Sequence, residues 1–203
     1  MDYGTKVEPL DWNQSGESTI IQAARACYDS YDKSTPESDD KLIRKLIESG
    51  HHSVLEFGWA AFRIRCSRVV SHELVRHRLF SIAMRSQRYV DESRPDYIIP
   101  PELHSAAQPE YAMGMYEKAM QQAWSSYSAL LKSGLPRQIA RYVLPNACLT
   151  EMVVAANFRE WRHVCNLRCS PKCQPEMRQV ANDILRLLKE LAPRVFADLE
   201  HTN

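Results

Sequence analysis

Apolar and polar residues recur along this chain with two different periods. In residues 18–28 the apolar side chains return to one face at helical spacing, which predicts a helix. Residues 35–50 predict a second helix, because Thr35 is a capping residue, Pro36 suits the first helical position and Gly50 is a typical helix end. Further helices are predicted at residues 67–78, 109–132, 136–144, 159–168 and 175–193.

A period of two predicts strands at residues 57–66 and 149–158. In the first strand, Phe62 and Ile64 alternate with Arg63 and Arg65, so one face is apolar and the other is partly polar. The residues before the first helix show neither period, and we expect an irregular start.

The length and composition fit one folded unit. The chain has 203 residues, 44% of them hydrophobic, and shows no internal repeat, linker or low-complexity run. Helices outnumber strands in the pattern. The sequence therefore predicts a mostly helical α+β fold, a single domain over residues 1–203 with a small central antiparallel or mixed sheet.

The overall charge and the apolar runs narrow the class of protein. A formal net charge of +1 argues against a protein that coats nucleic acid. No apolar run approaches the roughly 20 residues that span a bilayer, and the polar start lacks the apolar core of a signal peptide. We therefore expect a soluble cytoplasmic protein that binds neither nucleic acid nor membrane, with six free cysteines.

Positive charge is concentrated locally. Residues 63–88 hold seven arginines, no lysine and one acid, Glu73. Because the planar guanidinium binds phosphate and carboxylate with two hydrogen bonds, this choice favours the recognition of a shaped anion. A solvated charged face is the alternative.

Several known site patterns are absent. His72 and His77 are five residues apart, whereas the zinc-protease helix needs histidines four apart. A second possible metal set lacks paired Cys-x-x-Cys spacing, and we predict no metal there. This set comprises His163, Cys165, Cys169 and Cys173. Glycine-rich phosphate loops are also missing, so side chains must hold any nucleotide.

The arginine-rich segment "RHRLFSIAMRSQR" at 76–88 reads Arg-His-Arg, seven residues, then Ser-x-Arg, and it resembles the signature of the flavin-dependent thymidylate synthases. "GHHSVLEF" at 50–57, "SGLPRQIARYVLP" at 133–145 and "NFREWRHVCNLR" at 157–168 resemble further segments of that family. The resemblance covers roughly residues 20 to 190.

The resemblance implies FAD as cofactor, NADPH as reductant and methylenetetrahydrofolate as carbon donor, with methylation at C5 of a uridylate in a homotetramer whose active sites span subunits. Its implied cofactor-binding residues are Ser53, Glu56, Arg76, His77, Arg78, Asn157, Arg159 and His163. Its implied substrate-binding residues are Glu73, Ser86, Gln87, Arg88, Arg141 and Arg168. Its implied catalytic residues are Arg168, His51 and Ser86.

The chain departs from the family pattern inside the signature. Ala83 and Met84 stand where many members have polar residues, and Glu73 stands where some have Gln. The leading hypothesis is conversion of dUMP to dTMP. Altered residues near the sugar leave methylation of UMP in a nucleoside-antibiotic pathway as one alternative, and a non-catalytic nucleotide- or RNA-binding module as another.

Overall fold

A computed structural model describes residues 2–200. Its centre is a four-stranded sheet in the order β1-β2-β4-β3, with every neighbouring pair antiparallel. The α+β prediction is confirmed, and the sheet is antiparallel rather than mixed. The strands are β1 Lys6–Trp12, β2 Trp59–Ser67, β3 Ser81–Met84 and β4 Leu149–Asn157.

The described part of the chain also contains eight α-helices and short 3-10 turns such as His52–Phe57 and Arg141–Val143. None of the helices in residues 2–200 is both long and apolar enough to cross a membrane. The helices are α1 Gly16–Ala26, α2 Pro36–Glu48, α3 Arg68–Leu74, α4 Pro109–Lys132, α5 Arg137–Ala140, α6 Phe158–Arg168, α7 Pro175–Leu191 and α8 Pro193–Phe196.

Local sequence explains where the main helices begin and end. At α2, Thr35 and Ser38 form a reciprocal capping box, Pro36 is the first helical residue, and Gly50 adopts a φ of 72° just past the end. At α6, the side chain of Asn157 accepts a hydrogen bond from the backbone N–H of Glu160 at 2.9 Å. The Asn157 cap sets the start of α6, the helix that carries most of the candidate site.

The core lies on one face of the sheet. Phe62 and Ile64 of β2 are buried there with Met152 and Val154 of β4, against α6 and α7. Trp161 of α6 meets Phe62 edge to face, with ring centroids 5.2 Å apart. This packing fixes α6 against the sheet.

Gly58 allows α6 to start close to β2. A Cβ atom at Gly58 would lie 2.2 Å from the ring of Phe158. Only glycine fits this approach, because a methyl group would overlap the ring.

Two strands and one helix end differ from the sequence prediction. The expected irregular start is wrong, because β1 pairs with β2; it is mostly exposed, and its register shifts between Pro9 and Asp11, which obscures the alternation. The short strand β3 was not predicted. The helix predicted at 67–78 ends at Leu74, so Arg76, His77 and Arg78 lie in the following turns instead of a last helical turn.

The C-terminal helices are also divided more finely than predicted. The segment 136–144 forms the short helix α5 and then a 3-10 turn. The segment 175–193 forms α7, and Ala192 leaves helical geometry with a φ of −147° before Pro193 begins α8. The residue before a proline disfavours the helical region, which explains this break.

Candidate active site

Arg168, the last residue of α6, is held by two side chains from a distant part of the chain. Its Nε donates to Nε2 of His77 at 3.1 Å, and its Nη1 donates to Oε2 of Glu73 at 2.5 Å. Glu73 belongs to α3, and His77 follows the end of that helix. With Glu160 these residues form a group that we call the Arg168 cluster.

His77 is the buried centre of the Arg168 cluster. Its ring lies 5.5 Å from the Phe80 ring and 6.1 Å from the His163 ring, centroid to centroid. Burial, followed by the nearby Arg168 and His163, lowers the pKa of His77 to about 4. The imidazole is therefore neutral at pH 7. Its Nδ1 lies 3.8 Å from Oε1 of Glu160.

An open cleft of about 710 Å³ runs along α6. This volume lies within the range of small-molecule sites. Arg159 forms part of the cleft wall, and its Nη1 donates to Oε1 of Glu56 at 2.6 Å. The lining residues include Glu56, Leu79, Asn157, Arg159, Glu160 and His163. Four of the residues implied to bind cofactor are thus gathered around one cleft.

His51 and Ser53 line an adjoining pocket of about 370 Å³ that shares Arg159 with the cleft. His51 is exposed at the start of the 3-10 turn His52–Phe57. His52 lines both pockets, and its Nε2 lies 3.2 Å from the carbonyl oxygen of Ile47. The structure therefore brings His51, Ser53 and the α6 residues to one side of the molecule.

Arg76 and Arg78 are exposed in the turns between α3 and β3. Neither takes part in an ion pair with a residue in the described range 2–200. Leu79 beside them is also exposed and lines the cleft. Two uncompensated guanidinium groups next to an apolar side chain suit a ligand that combines negative charge with an apolar ring.

Three of the residues implied to bind the substrate, Ser86, Gln87 and Arg88, lie in the turn after β3. Ser86 Oγ accepts from the backbone N–H of Arg88 at 3.3 Å, and Gln87 is buried. Arg88 is exposed, with its guanidinium 5.3 Å from the centre of the Tyr89 ring. Arg141 lies half-buried in the 3-10 turn that follows α5.

Arg88 lines an open cavity of about 610 Å³ with residues of α4 and α5, including Arg137. Arg137 is neutralised, because its Nη2 donates to Oδ2 of Asp91 at 3.2 Å. Within residues 2–200, no hydrogen bond or ion pair joins Ser86, Arg88 or Arg141 to the Arg168 cluster. Within one chain the predicted substrate residues thus form two groups that share no hydrogen bond or ion pair.

Known proteins similar to this chain agree with its signature. A model of the thymidylate synthase complementing protein family matches residues 10–194. A flavin-dependent thymidylate synthase of Mycobacterium avium is 38% identical over 208 residues, which cover 95% of this chain and 83% of the relative. Its namesake from Corynebacterium glutamicum is 36% identical over 209 residues, covering 94% and 84%.

A third relative, the flavin-dependent thymidylate synthase of Mycobacterium tuberculosis, is 37% identical over 202 residues, covering 92% of this chain and 81% of the relative. The chain belongs to the thymidylate synthase complementing protein family. This confirms the resemblance that the sequence motifs indicated.

The residues at which this chain departs from the family pattern have different surroundings. Ala83 is exposed on the open face of the sheet, opposite Val153. Met84 pairs with Met152 and is partly buried against the core. The substitution at 84 therefore adds apolar packing, whereas the substitution at 83 leaves a small exposed side chain.

Glu160 is the residue of the family's α6 segment that the sequence interpretation missed. It is buried at the cleft wall and faces His77. Its spacing contains a signal, because Glu160 lies three residues after Asn157 and three before His163, and residues at this spacing share a helix face. Nothing local to α6 indicates that His77 would lie opposite.

Proposed function

We propose that this chain converts dUMP to dTMP, with methylenetetrahydrofolate as carbon donor and NADPH as the source of electrons through FAD. The observation that carries the proposal is Arg168, held by His77 and Glu73 at the end of the family's α6 segment. The similar proteins are named flavin-dependent thymidylate synthases, and thymidylate is the C5-methylated product of dUMP.

The residues around the cleft fit FAD. A diphosphate needs donors with positive charge. Arg159 lines the cleft, and Arg76 and Arg78 are exposed in the turns next to Leu79, which also lines it. Asn157 and His163 add polar contacts for the adenine half, while His51, Ser53 and Glu56 lie at the adjoining pocket. When bound, the flavin supplies the hydride that turns the transferred carbon into a methyl group.

Arg168 has the geometry for the pyrimidine. Its side chain keeps 19% of its surface exposed, so part of the guanidinium remains open to a ligand. Negative charge develops on the uracil carbonyl oxygen as C5 becomes nucleophilic, and a cation already fixed by protein partners stabilises that charge without further ordering. We assign Glu73, which holds the same guanidinium, to the base as well.

Arg88 and Arg141 suit the nucleotide phosphate. No ion pair within residues 2–200 neutralises either of them. Ser86 and Gln87 lie beside Arg88 and complete a polar site. Because a phosphate needs several charged donors at once, we assign these four residues to the phosphate and sugar.

We infer that the two groups of substrate residues meet across subunits of a homotetramer. They are separate within one chain, and large apolar side chains near them are exposed, among them Tyr142 at 81% and Tyr89 at 70%. The long helix α4 buries only Met120, Trp124 and Tyr127 within the chain. An exposed apolar surface of this kind favours association with further copies.

Two sequence-based alternatives are not favoured. The family is an enzyme family, which argues against a non-catalytic binding module. The names of the relatives support dUMP rather than UMP, and Met84, one of the two altered residues, packs on the core instead of reaching towards a ligand.

Six free thiols suit a reducing compartment, and we infer a cytoplasmic location.

The colour of the purified protein tests the flavin part of the proposal. We expect a yellow protein whose flavin absorbance bleaches on addition of NADPH without oxygen and returns in air. Protein purified without pigment should take up FAD on reconstitution. A protein that stays colourless after reconstitution would rule out this function.

A further inference from the structure

Glu160 is a buried carboxylate to which the proposed chemistry gives no role. It lies on α6 at the cleft wall and is 7% exposed. Among the described residues, His77 is the basic side chain within ion-pair distance of it, at 3.8 Å. Removing a carboxylate from water is costly, so its position beside one edge of an imidazole requires a physical explanation.

The hydrogen bond between His77 and Arg168 fixes where the imidazole can carry its proton. The Nε–H of Arg168 can only donate, and it points at Nε2 of His77 at 3.1 Å. Nε2 must therefore accept, and a neutral His77 must carry its proton on Nδ1. Oε1 of Glu160 lies 3.8 Å from Nδ1, which is longer than a hydrogen bond but close enough for its charge to act on that edge of the ring.

Packing alone does not select this tautomer. Phe80 lies between His77 and Trp161, with ring centroids 5.5 Å and 4.6 Å away, and these contacts fix the ring position. Apolar rings do not distinguish a proton on Nδ1 from one on Nε2. A negative charge at the Nδ1 edge does distinguish them, because it attracts the proton to that nitrogen.

The other charged and titratable neighbours of His77 act in the complementary direction. Arg168 and His163, both on α6, disfavour a positive imidazole, and burial adds to this effect, so the pKa of His77 falls to about 4. Glu73 of α3 lies behind Arg168 and holds its Nη1. Arg168 and Glu160 therefore favour the same tautomer from the two edges of the ring, while burial, Arg168 and His163 disfavour a second proton.

We propose that Glu160 is a positioning residue, whose carboxylate acts together with the Arg168 donor to favour the proton of His77 on Nδ1, so that Nε2 holds the guanidinium of Arg168. Glu160 does not need to touch the substrate. Its effect on turnover rests on the proposed function of Arg168 in pyrimidine binding. Its effect on His77 is independent of that function.

The tautomer can be measured directly in ligand-free protein. Protein labelled with ¹⁵N in its histidines should show, by NMR at pH 7, a protonated Nδ1 and an unprotonated Nε2 for His77, assigned by comparison with His77→Asn. We expect Glu160→Ala to give a mixture of tautomers, and Glu160→Gln to give a smaller change because its amide oxygen can still accept. Retention of the wild-type pattern in both variants would overturn the proposal.

A matched control is available at the surface. Glu190 at the end of α7 pairs with Arg186, and both are exposed. Glu190→Gln makes the same chemical change away from the site, and it should leave the His77 signals unchanged. A similar shift in this control would overturn the assignment to Glu160. If Glu160→Ala fails to fold, as judged by its melting temperature, Glu160→Met decides the outcome, because it keeps a side chain of similar length without an oxygen acceptor.

A binding measurement connects the tautomer to the substrate. In a Glu160→Ala variant that keeps its FAD, we expect dUMP to bind about three- to tenfold more weakly, because Arg168 loses one of its two fixed partners in part of the population. A changed tautomer with unchanged dUMP affinity would overturn the link to substrate binding. Failure of the wild-type protein to bind dUMP would instead contradict the proposed function, while the NMR result would still decide the role of Glu160.

Discussion

Two groups of arginines in this chain illustrate different ways to prepare for an anion. Arg168 is mostly buried and already bonded to His77 and Glu73. The loop arginines, Arg88 and Arg141, have no acidic partner within residues 2–200. The first arrangement fixes one guanidinium in advance, and the second leaves free charge that is ordered when the ligand binds. We expect the first to act on the transition state and the second on binding.

The largest effect should follow from Arg168→Ala. We expect kcat/KM for dUMP to fall by about a thousandfold, because a preorganised cation is lost where negative charge develops. The FAD content should stay normal, since the cleft along α6 is unchanged. Steady-state kinetics and the flavin spectrum measure the two quantities.

Arg186→Ala is the matched control for this change, because Arg186 lies on the exposed side of α7 and pairs with Glu190. Its turnover should equal that of the wild-type protein. Turnover close to normal in Arg168→Ala would remove the assigned role.

The Arg168 cluster, which contains His77, and the loop arginines should also differ in how they affect the pH dependence of stability. His77 has a pKa of about 4 in the folded protein, below its ordinary value. The unfolded chain therefore binds a proton at higher pH than the folded chain, and stability falls as pH falls from about 6.5 towards 4. Because of His77 alone, the free energy of unfolding should fall by about 2 kcal/mol between pH 6.5 and pH 5.

Denaturant titrations at both pH values measure this loss. His77→Gln should reduce it, whereas Arg88→Ala should keep the wild-type pH dependence because arginine does not titrate in this range. An equal pH dependence in His77→Gln and wild type would contradict the lowered pKa.

A moderate effect is expected from the loop arginines. Arg88→Ala and Arg141→Ala should each raise KM for dUMP by about tenfold with little change in kcat, because each removes one charged donor to the phosphate. Their sensitivity to added salt should also decrease. A large fall in kcat with an unchanged KM would show that these arginines resemble Arg168 and that the two groups are not distinct.

The smallest effect should come from Arg78→Ala. We expect FAD to bind about fivefold more weakly, since Arg78 is an exposed donor among several near the cleft. Equilibrium dialysis against FAD measures the change, with Arg186→Ala again as control. Unchanged FAD affinity would remove Arg78 from the cofactor site.

The sequence predicted the parts of the fold whose signals are local. The capping residues around α2 and the alternation in β2 gave these elements correctly. β1 was missed because a mostly exposed edge strand with a register shift shows no clear alternation. The end of α3 was placed too late, because the residues from Val75 to Arg78 include no glycine or proline to mark it.

The candidate site likewise has a part that the sequence predicted and a part that depends on the packed fold. Family motifs identified His77 and Arg168, but the contacts that join them span 91 residues, and the contact with Glu73 spans 95. Side-chain contacts over such separations depend on the packed fold. For the same reason, the position of Glu160 opposite His77 could not be predicted from the sequence of α6.

Release of hydrogen from C5 of the pyrimidine tests the central claim most directly. Purified protein with FAD, NADPH and methylenetetrahydrofolate should release tritium from dUMP labelled at C5 and form dTMP. In competition, unlabelled dUMP should suppress that release far more effectively than UMP. Release of label from UMP in preference to dUMP, or no release from either by protein that holds FAD, would contradict the account.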